Sequence, residues 1–531
     1  MPQKQIIFPL HPPSDSTDMI SADEKFTINA TTRSHQIQIE SMDITIQEVQ
    51  QLRVKRANHL DAIAKLRGSI SMARRAPDEV LALIFEHGAA GGWVNAPLVS
   101  SHVCAKWRRA SFVPRVWSHI YLTSESLDPI AKTRLWLSRA LQSPLFVAVD
   151  IQVLNQHTLG AFELLLERAS QWRAITLNTR FAQQANDVLY QCLRPFPHLH
   201  TLNIVSFSIG VATEQGVDEL TGLGDAFADA PSLSYARIVS NRFPPSIPST
   251  VVDLSLQLSD VVSSQPSLLA ALEMLGTLPY LLNLTLVIPT EFAQVVYSDM
   301  DRTRETYFHH LERLIIDAPP DFNGILKHIQ TPALRYLHLR SAELPLNHPH
   351  EGTGKALLRF LRSSNPPIKL LELHDVDIRQ DDFLQCFLSL PHLEELHLHE
   401  TEILNEAFLS LHGPTGACPR LRRLDLRWCE QLAGQALVDL VRSRLDPTAN
   451  RRGLFDPIEE ITVINCALVD ESSVLGLAQA TVCSVVVRSL EDYCHSRGCC
   501  NNNRYHRERL RVRRQKDLGS PKRSNIKLVL D

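Results

Sequence analysis

Pro391-His392-Leu393-Glu394-Glu395-Leu396-His397-Leu398-His399 and, farther on, Pro419-Arg420-Leu421-Arg422-Arg423-Leu424-Asp425-Leu426-Arg427 carry one pattern. Each is a proline followed by apolar-x-x-apolar-x-apolar. The proline ends a preceding helix, and the alternating second half suits a short strand with leucines on one side. The template recurs at Trp172/Ile175/Leu177, Leu199/Leu202/Ile204, Val251/Leu254/Leu256, Leu281/Leu284/Leu286, Leu311/Leu314/Ile316, Leu334/Leu337/Leu339, Ile368/Leu371/Leu373 and Ile458/Ile461/Val463, with a weaker match at Leu233/Ala236/Ile238. The mean step is about 29 residues, within the leucine-rich period. Helical stretches such as Ala161–Leu166 and Lys355–Leu361 lie between the strands. The expected fold class is α/β, a leucine-rich-repeat solenoid with a curved parallel sheet over residues 123–486.

Such a strand points its leucines into the core and its intervening residues to the other face. That face is expected to offer Tyr336, His338 and Arg340; Glu372 and His374; His397 and His399; and Arg423, Asp425 and Arg427. A protein-binding surface is the expected use. Four nearby histidines would make binding by it pH-sensitive over about pH 5.5–7.5. Side chains on parallel strands diverge and no short ligand spacing is present, so no metal is expected there.

Composition limits the rest. The chain has 531 residues, 44% hydrophobic and 21% charged, with a formal net charge of −4. These proportions suit a soluble globular array and give no bulk electrostatic support for nucleic-acid or membrane-surface binding. Near the start, the apolar patch Ile6-Ile7-Phe8 is cut by Pro9, so neither a secretion leader nor a membrane span is expected. Ten cysteines, mostly single and inside apolar segments, make no disulfide framework and point to cytosol or nucleus.

Outside the repeats, residues 1–38 read as a disordered tail rich in Pro, Ser, Thr and Asp. Residues 39–72 read as an amphipathic helix expected to dock on its own protein. Residues 487–531 read as a disordered basic tail. Within that tail, Cys494, His495, Cys499, Cys500 and His506 fit no paired metal-knuckle spacing, and Arg507–Arg514 is a run of basic charge. Gly352-Thr353-Gly354-Lys355 lacks the spacing of a phosphate loop. With no G-x-S-x-G elbow and no H-E-x-x-H, the chain is expected to be non-catalytic and to use no cofactor.

Between the helix and the repeats, residues 73–122 form a compact unit. Pro77 opens a helix at Ala76-Pro77-Asp78-Glu79, followed by Val80, Leu81, Ile84 and Phe85. Val103-Cys104 and Lys106-Trp107-Arg108 follow on a second helical stretch, and Val116–Leu122 turns to a period of two. The blocks Arg74–Leu81 with Ile84-Phe85, Val103–Arg108 and Val116–Ile120 resemble the F-box family, in which they read Leu-Pro-x-Glu-Ile-Leu-x-x-Ile-Phe, Val-Cys-x-x-Trp-Arg and Leu-Trp-Ser-x-Ile. Ala76 stands where the family usually has Leu. The whole chain is similar to fungal F-box proteins with C-terminal leucine-rich repeats.

That resemblance implies a box that binds the Skp-type adaptor of an SCF-type cullin ubiquitin ligase and repeats that hold a target protein. The implied adaptor-binding residues are Pro77, Glu79, Val80, Leu81, Ile84, Phe85, Val103, Trp107 and Trp117. The alternative is a leucine-rich scaffold outside any ligase. On either reading the partners are proteins, with nucleic acid and membrane not expected.

Overall fold

The computed structural model describes residues 21–70, 72–206, 220–240, 243–258, 268–288, 305–318, 323–341, 353–376, 378–413, 416–429, 431–445, 455–480 and 484–488. The C-terminal tail expectations, including the Cys/His cluster and the arginine run, lie outside the described residues, as does Gly352.

Leucines in fixed register build the molecule. Among the described residues, fourteen strands form one parallel sheet in which each strand pairs with the next along the sheet. Leu337, Leu371, Leu396, Leu424 and Ile461 stand in one row across it, and Leu339, Leu373, Leu398, Leu426 and Val463 in the next. All ten are buried. Helices such as Thr353–Ser364, Gln380–Leu388 and Gly434–Leu445 cover this apolar face with Phe360, Phe383, Phe387 and Leu440. The fold is thus an α/β solenoid in which each repeat buries its leucines against its neighbours.

Every one of the eleven repeat matches contains a strand of the sheet, including the weak one, at Tyr235–Ser240. Three further strands belong to it: His119–Thr123, Leu145–Ile151 and Ser484–Arg488. A recurring backbone device follows four strands. Asp375, Glu400, Trp428 and Asn465 each come one residue after a strand end and hold φ of 55°, 58°, 59° and 56°. The left-handed turn lets the amide continue the ladder: Asp375 N–H donates to His399 O at 2.8 Å, Glu400 to Arg427 O at 2.7 Å and Trp428 to Ile464 O at 2.9 Å.

Gly354 also has a packing role, because a Cβ there would lie 2.7 Å from the Cβ of Asp382 on the next repeat's helix. Arg444 is buried and donates to the carbonyls of Leu411, Leu421, Ala417, Cys418 and Asp456, fastening the loops of two repeats. Burial pushes its guanidinium down to about 10, with nearby Cys418 and Asp456 opposing.

At the N-terminus the structure departs from the expected boundaries. A single helix, α1 (Ala22–Ile70), replaces the tail and shorter helix expected over residues 22–70. Its start is a capping box: Ser21 N–H donates to Glu24 Oε2 at 3.1 Å and Glu24 N–H to Ser21 Oγ at 3.2 Å. The hydroxyls of Thr27, Thr31 and Thr32 donate to carbonyls four residues back, so these polar residues are satisfied inside the helix. Residues 22–67 are exposed throughout, and the expected docking of this helix on its own protein is not found among the described residues. No helix among the described residues is long and apolar enough to cross a membrane.

The helical unit before the repeats comprises α2 (Met72–Arg75), α3 (Asp78–Ala90), α4 (Ala96–Val103), α5 (Ala105–Ser111) and a 3-10 turn, Pro114–Trp117. Its core is continuous with that of the repeats. Leu81, Phe85, Ala110 and Trp117 belong to the same buried cluster that runs on through Ile120, Trp136 and the solenoid. Trp117 packs edge-on against Trp136 with centroids 5.1 Å apart, and its Nε1–H donates to Ser111 O at 2.6 Å. A Trp117→Phe variant keeps a ring but strands that carbonyl, so it is expected to cost about 1–2 kcal/mol. A urea titration checks this as a lower midpoint with an unchanged slope.

Candidate functional site

Two surfaces carry the candidate residues. The first is the box-like helical unit before the repeats. Helix spacing places Val80, Leu83 and Ile84 together on one face of α3, and their exposures are 43%, 51% and 56%. On α4, Leu98, Val99 and Val103 are also exposed, as is Trp93 on the connecting loop. Polar contacts brace the frame behind them. Lys106 Nζ donates to Arg74 O at 2.7 Å, and Arg109 Nε lies 3.3 Å from Asp78 Oδ2. Ala76 is partly buried against the core.

This arrangement divides the expected adaptor-face residues between core and surface. Leu81, Phe85 and Trp117 point inward and are 2% exposed, because the solenoid's sheet begins directly beneath the box. Trp107 is half-buried against Phe85, centroids 5.0 Å apart. Pro77, Glu79, Val80, Ile84 and Val103 stay accessible. Leu83 and Trp93, unremarked in the sequence, join them. The phase of α3 could have found Leu83: with Leu81 and Phe85 inward, positions 80, 83, 84 and 87 turn outward.

The second surface is the open face of the sheet, where register sets the pairs. One row reads His338, Glu372, His397, Asp425 across four strands, and the next reads Arg340, His374, His399, Arg427. Basic and acidic groups therefore alternate along the first row. Glu372 is buried between its neighbours: His338 Nδ1 lies 2.9 Å from Oε2, and Arg340 Nε and Nη2 lie 3.2 and 2.9 Å from Oε1. Burial opposes its ionisation, but hydrogen bonding to His338, the approach of His397 and the charge of Arg340 outweigh that and hold the carboxyl far below the usual range.

Asp425 is held low in the same way, burial being outweighed by the approach of His399, by hydrogen bonds from Arg427 and by the charges of both. Arg427 grips it with both Nε and Nη2, at 2.7 and 2.6 Å. His399 is pushed down by burial, with Asp425 opposing. Arg423 pairs with Glu395, and Arg313 lies over the ring of Tyr336 at 4.9 Å. His374 Nε2 lies 3.4 Å from Oε1 of Glu400. Glu400 is buried and was not legible as a site residue, because it sits in the left-handed turn just past its strand.

Among the described residues, five cysteines pack in the core. Cys192, Cys386, Cys418, Cys429 and Cys466 are buried free thiols, and burial pushes Cys192, Cys386 and Cys418 up to about 12.

No protein-family model matches the chain, and no curated protein matches it. Among solved structures it is similar to a chain from the crystal structure of the Rad7 and Elc1 complex in yeast, at 16% identity over 81% of this chain and 98% of that one, with a TM-score of 0.34. It is also similar to a chain of the TLR13–ssRNA13 complex, at 12% identity over 71% of this chain and 56% of that one, with a TM-score of 0.30.

Proposed function

We propose that the chain is a non-catalytic receptor of an SCF-type cullin ubiquitin ligase, with the box docking a Skp-type adaptor and the open sheet face holding a target protein. The observation that carries this reading is the outward apolar face of α3, Val80, Leu83 and Ile84, on a unit whose sequence blocks resemble the F-box family. Apolar side chains clustered on a small helical unit and left to solvent suit a protein partner. The open face supplies charged and aromatic groups held in place by neighbouring strands, which suits recognition of a folded or extended polypeptide.

In this role the chain moves no proton and breaks no bond. It raises the effective concentration of a target lysine near a charged conjugating enzyme held elsewhere in the ligase. Free thiols throughout the described core fit a reducing compartment, cytoplasm or nucleus.

Co-purification with a recombinant Skp-type adaptor tests the reading, and a one-to-one complex is the expected result. A folded chain that retains no adaptor favours the second reading, a scaffold in which the box serves as the cap of the solenoid. That second reading draws on the continuity of the box with the repeat core.

A further inference from the structure

The open face brings two histidines of one strand and an aspartate of the next to a single point. His397 and His399 are two residues apart on the strand Glu395–His399, so both rings leave the same face. His397 stands opposite Asp425 in the parallel register. One ligand atom from each of the three residues lies within 4.8 Å of the others. His399 Nε2 is buried with no hydrogen-bond partner among the described residues, and it lies 3.6 Å from Asp425 Oδ1.

Further groups close around this point. The His374 ring stands edge-on to His399 with centroids 5.7 Å apart, and the His397 ring is stacked at 6.1 Å. Glu372 Oε2 lies 3.8 Å from His397 Nδ1, and Glu395 Oε2 lies 3.6 Å from His397 Nε2.

We propose that His397, His399 and Asp425 form a binding site for a divalent transition-metal ion, with zinc the best chemical match. Two imidazole nitrogens and one carboxylate oxygen are a zinc donor set, with the fourth position left to water. Bonds of about 2.0–2.2 Å place ligand atoms roughly 3.4 Å apart at the tetrahedral angle, so side-chain rotation closes the present spacing without moving a strand.

Arg427 orients the carboxylate from outside, leaving lone pairs for the ion. Glu372 and Glu395, which face His397, pair with Arg340 and Arg423, so three carboxylates balance three guanidiniums around the point. Side chains on neighbouring parallel strands splay apart with the twist of the sheet. Two of these ligands share one strand, where i and i+2 cannot diverge to opposite faces. The site stands independently of adaptor binding.

Calorimetric titration of the chelator-stripped full chain with zinc chloride tests this. Wild type is expected to bind one equivalent more than a His397→Asn/His399→Asn variant, and Asp425→Asn is expected to weaken that equivalent at least about tenfold. His374→Asn should keep it. Equal stoichiometry in the wild type and a folded double variant overturns the proposal. A second measurement needs no variant: zinc should slow diethyl pyrocarbonate modification of His397 and His399 at least tenfold by peptide mass, while exposed His309 and His310 react as before. Unchanged rates at His397 and His399 overturn it too.

Discussion

A Val80→Asp/Ile84→Asp variant is expected to bind a Skp-type adaptor at least about 100-fold more weakly than wild type while unfolding at nearly the same urea concentration. Both side chains lie on the outward face of α3, 43% and 56% exposed, so the substitutions leave the core intact. In a complex each carboxylate would have to lose its water against an apolar partner surface. Removing two central apolar anchors, at about 2 kcal/mol each, exceeds the required effect even with incomplete additivity.

The inward face of the same helix gives the opposite pattern. Phe85→Ala removes a 2%-exposed ring packed on Trp107 and is expected to cost about 3–5 kcal/mol of stability. Any loss of adaptor binding should then follow unfolding, as circular dichroism would report. Undiminished adaptor binding by the folded Val80/Ile84 variant would sink the assignment of this face.

The repeats were readable because a leucine-rich strand must present its apolar residues at fixed spacing to a fixed neighbour. Where the template failed, the cause is local. Leu145–Ile151 buries Leu145, Val147, Val149 and Ile151 in plain alternation, with no x-x step for the pattern to catch. The left-handed turns at Asp375, Glu400, Trp428 and Asn465 escaped notice because four different side chains occupy them and none is glycine. The start of α1 was hidden by its threonines, although Ser21 and Glu24 held the capping signal.

At the candidate surfaces, strand parity told which residues share the open face. It could not tell which of them meet. Pairing depends on register between strands some 25–34 residues apart, and the loops that set that register vary in length. The box shows a related limit: its motif marks Leu81, Phe85 and Trp117 without saying that the first strand of the solenoid lies beneath them.

Register makes Glu372 the anchor of the open face, and its replacement by alanine is expected to lower stability by about 3 kcal/mol. The carboxylate has only 9% of its side chain exposed and receives His338, both guanidinium contacts of Arg340 and, at 3.8 Å, His397. Removing it takes the acceptor from Arg340 and the carboxylate partner from His338. Because the folded carboxyl is held below its unfolded value near 4.3, its contribution should be fully present above that pH and fade as the pH falls through and below it. Urea midpoints of wild type and Glu372→Ala, at neutral pH and near pH 3, check both the size and the sign. A difference under about 1 kcal/mol at neutral pH would mean that water already satisfies this row, and the open face would then be a loose surface with no preset arrangement for a partner to meet.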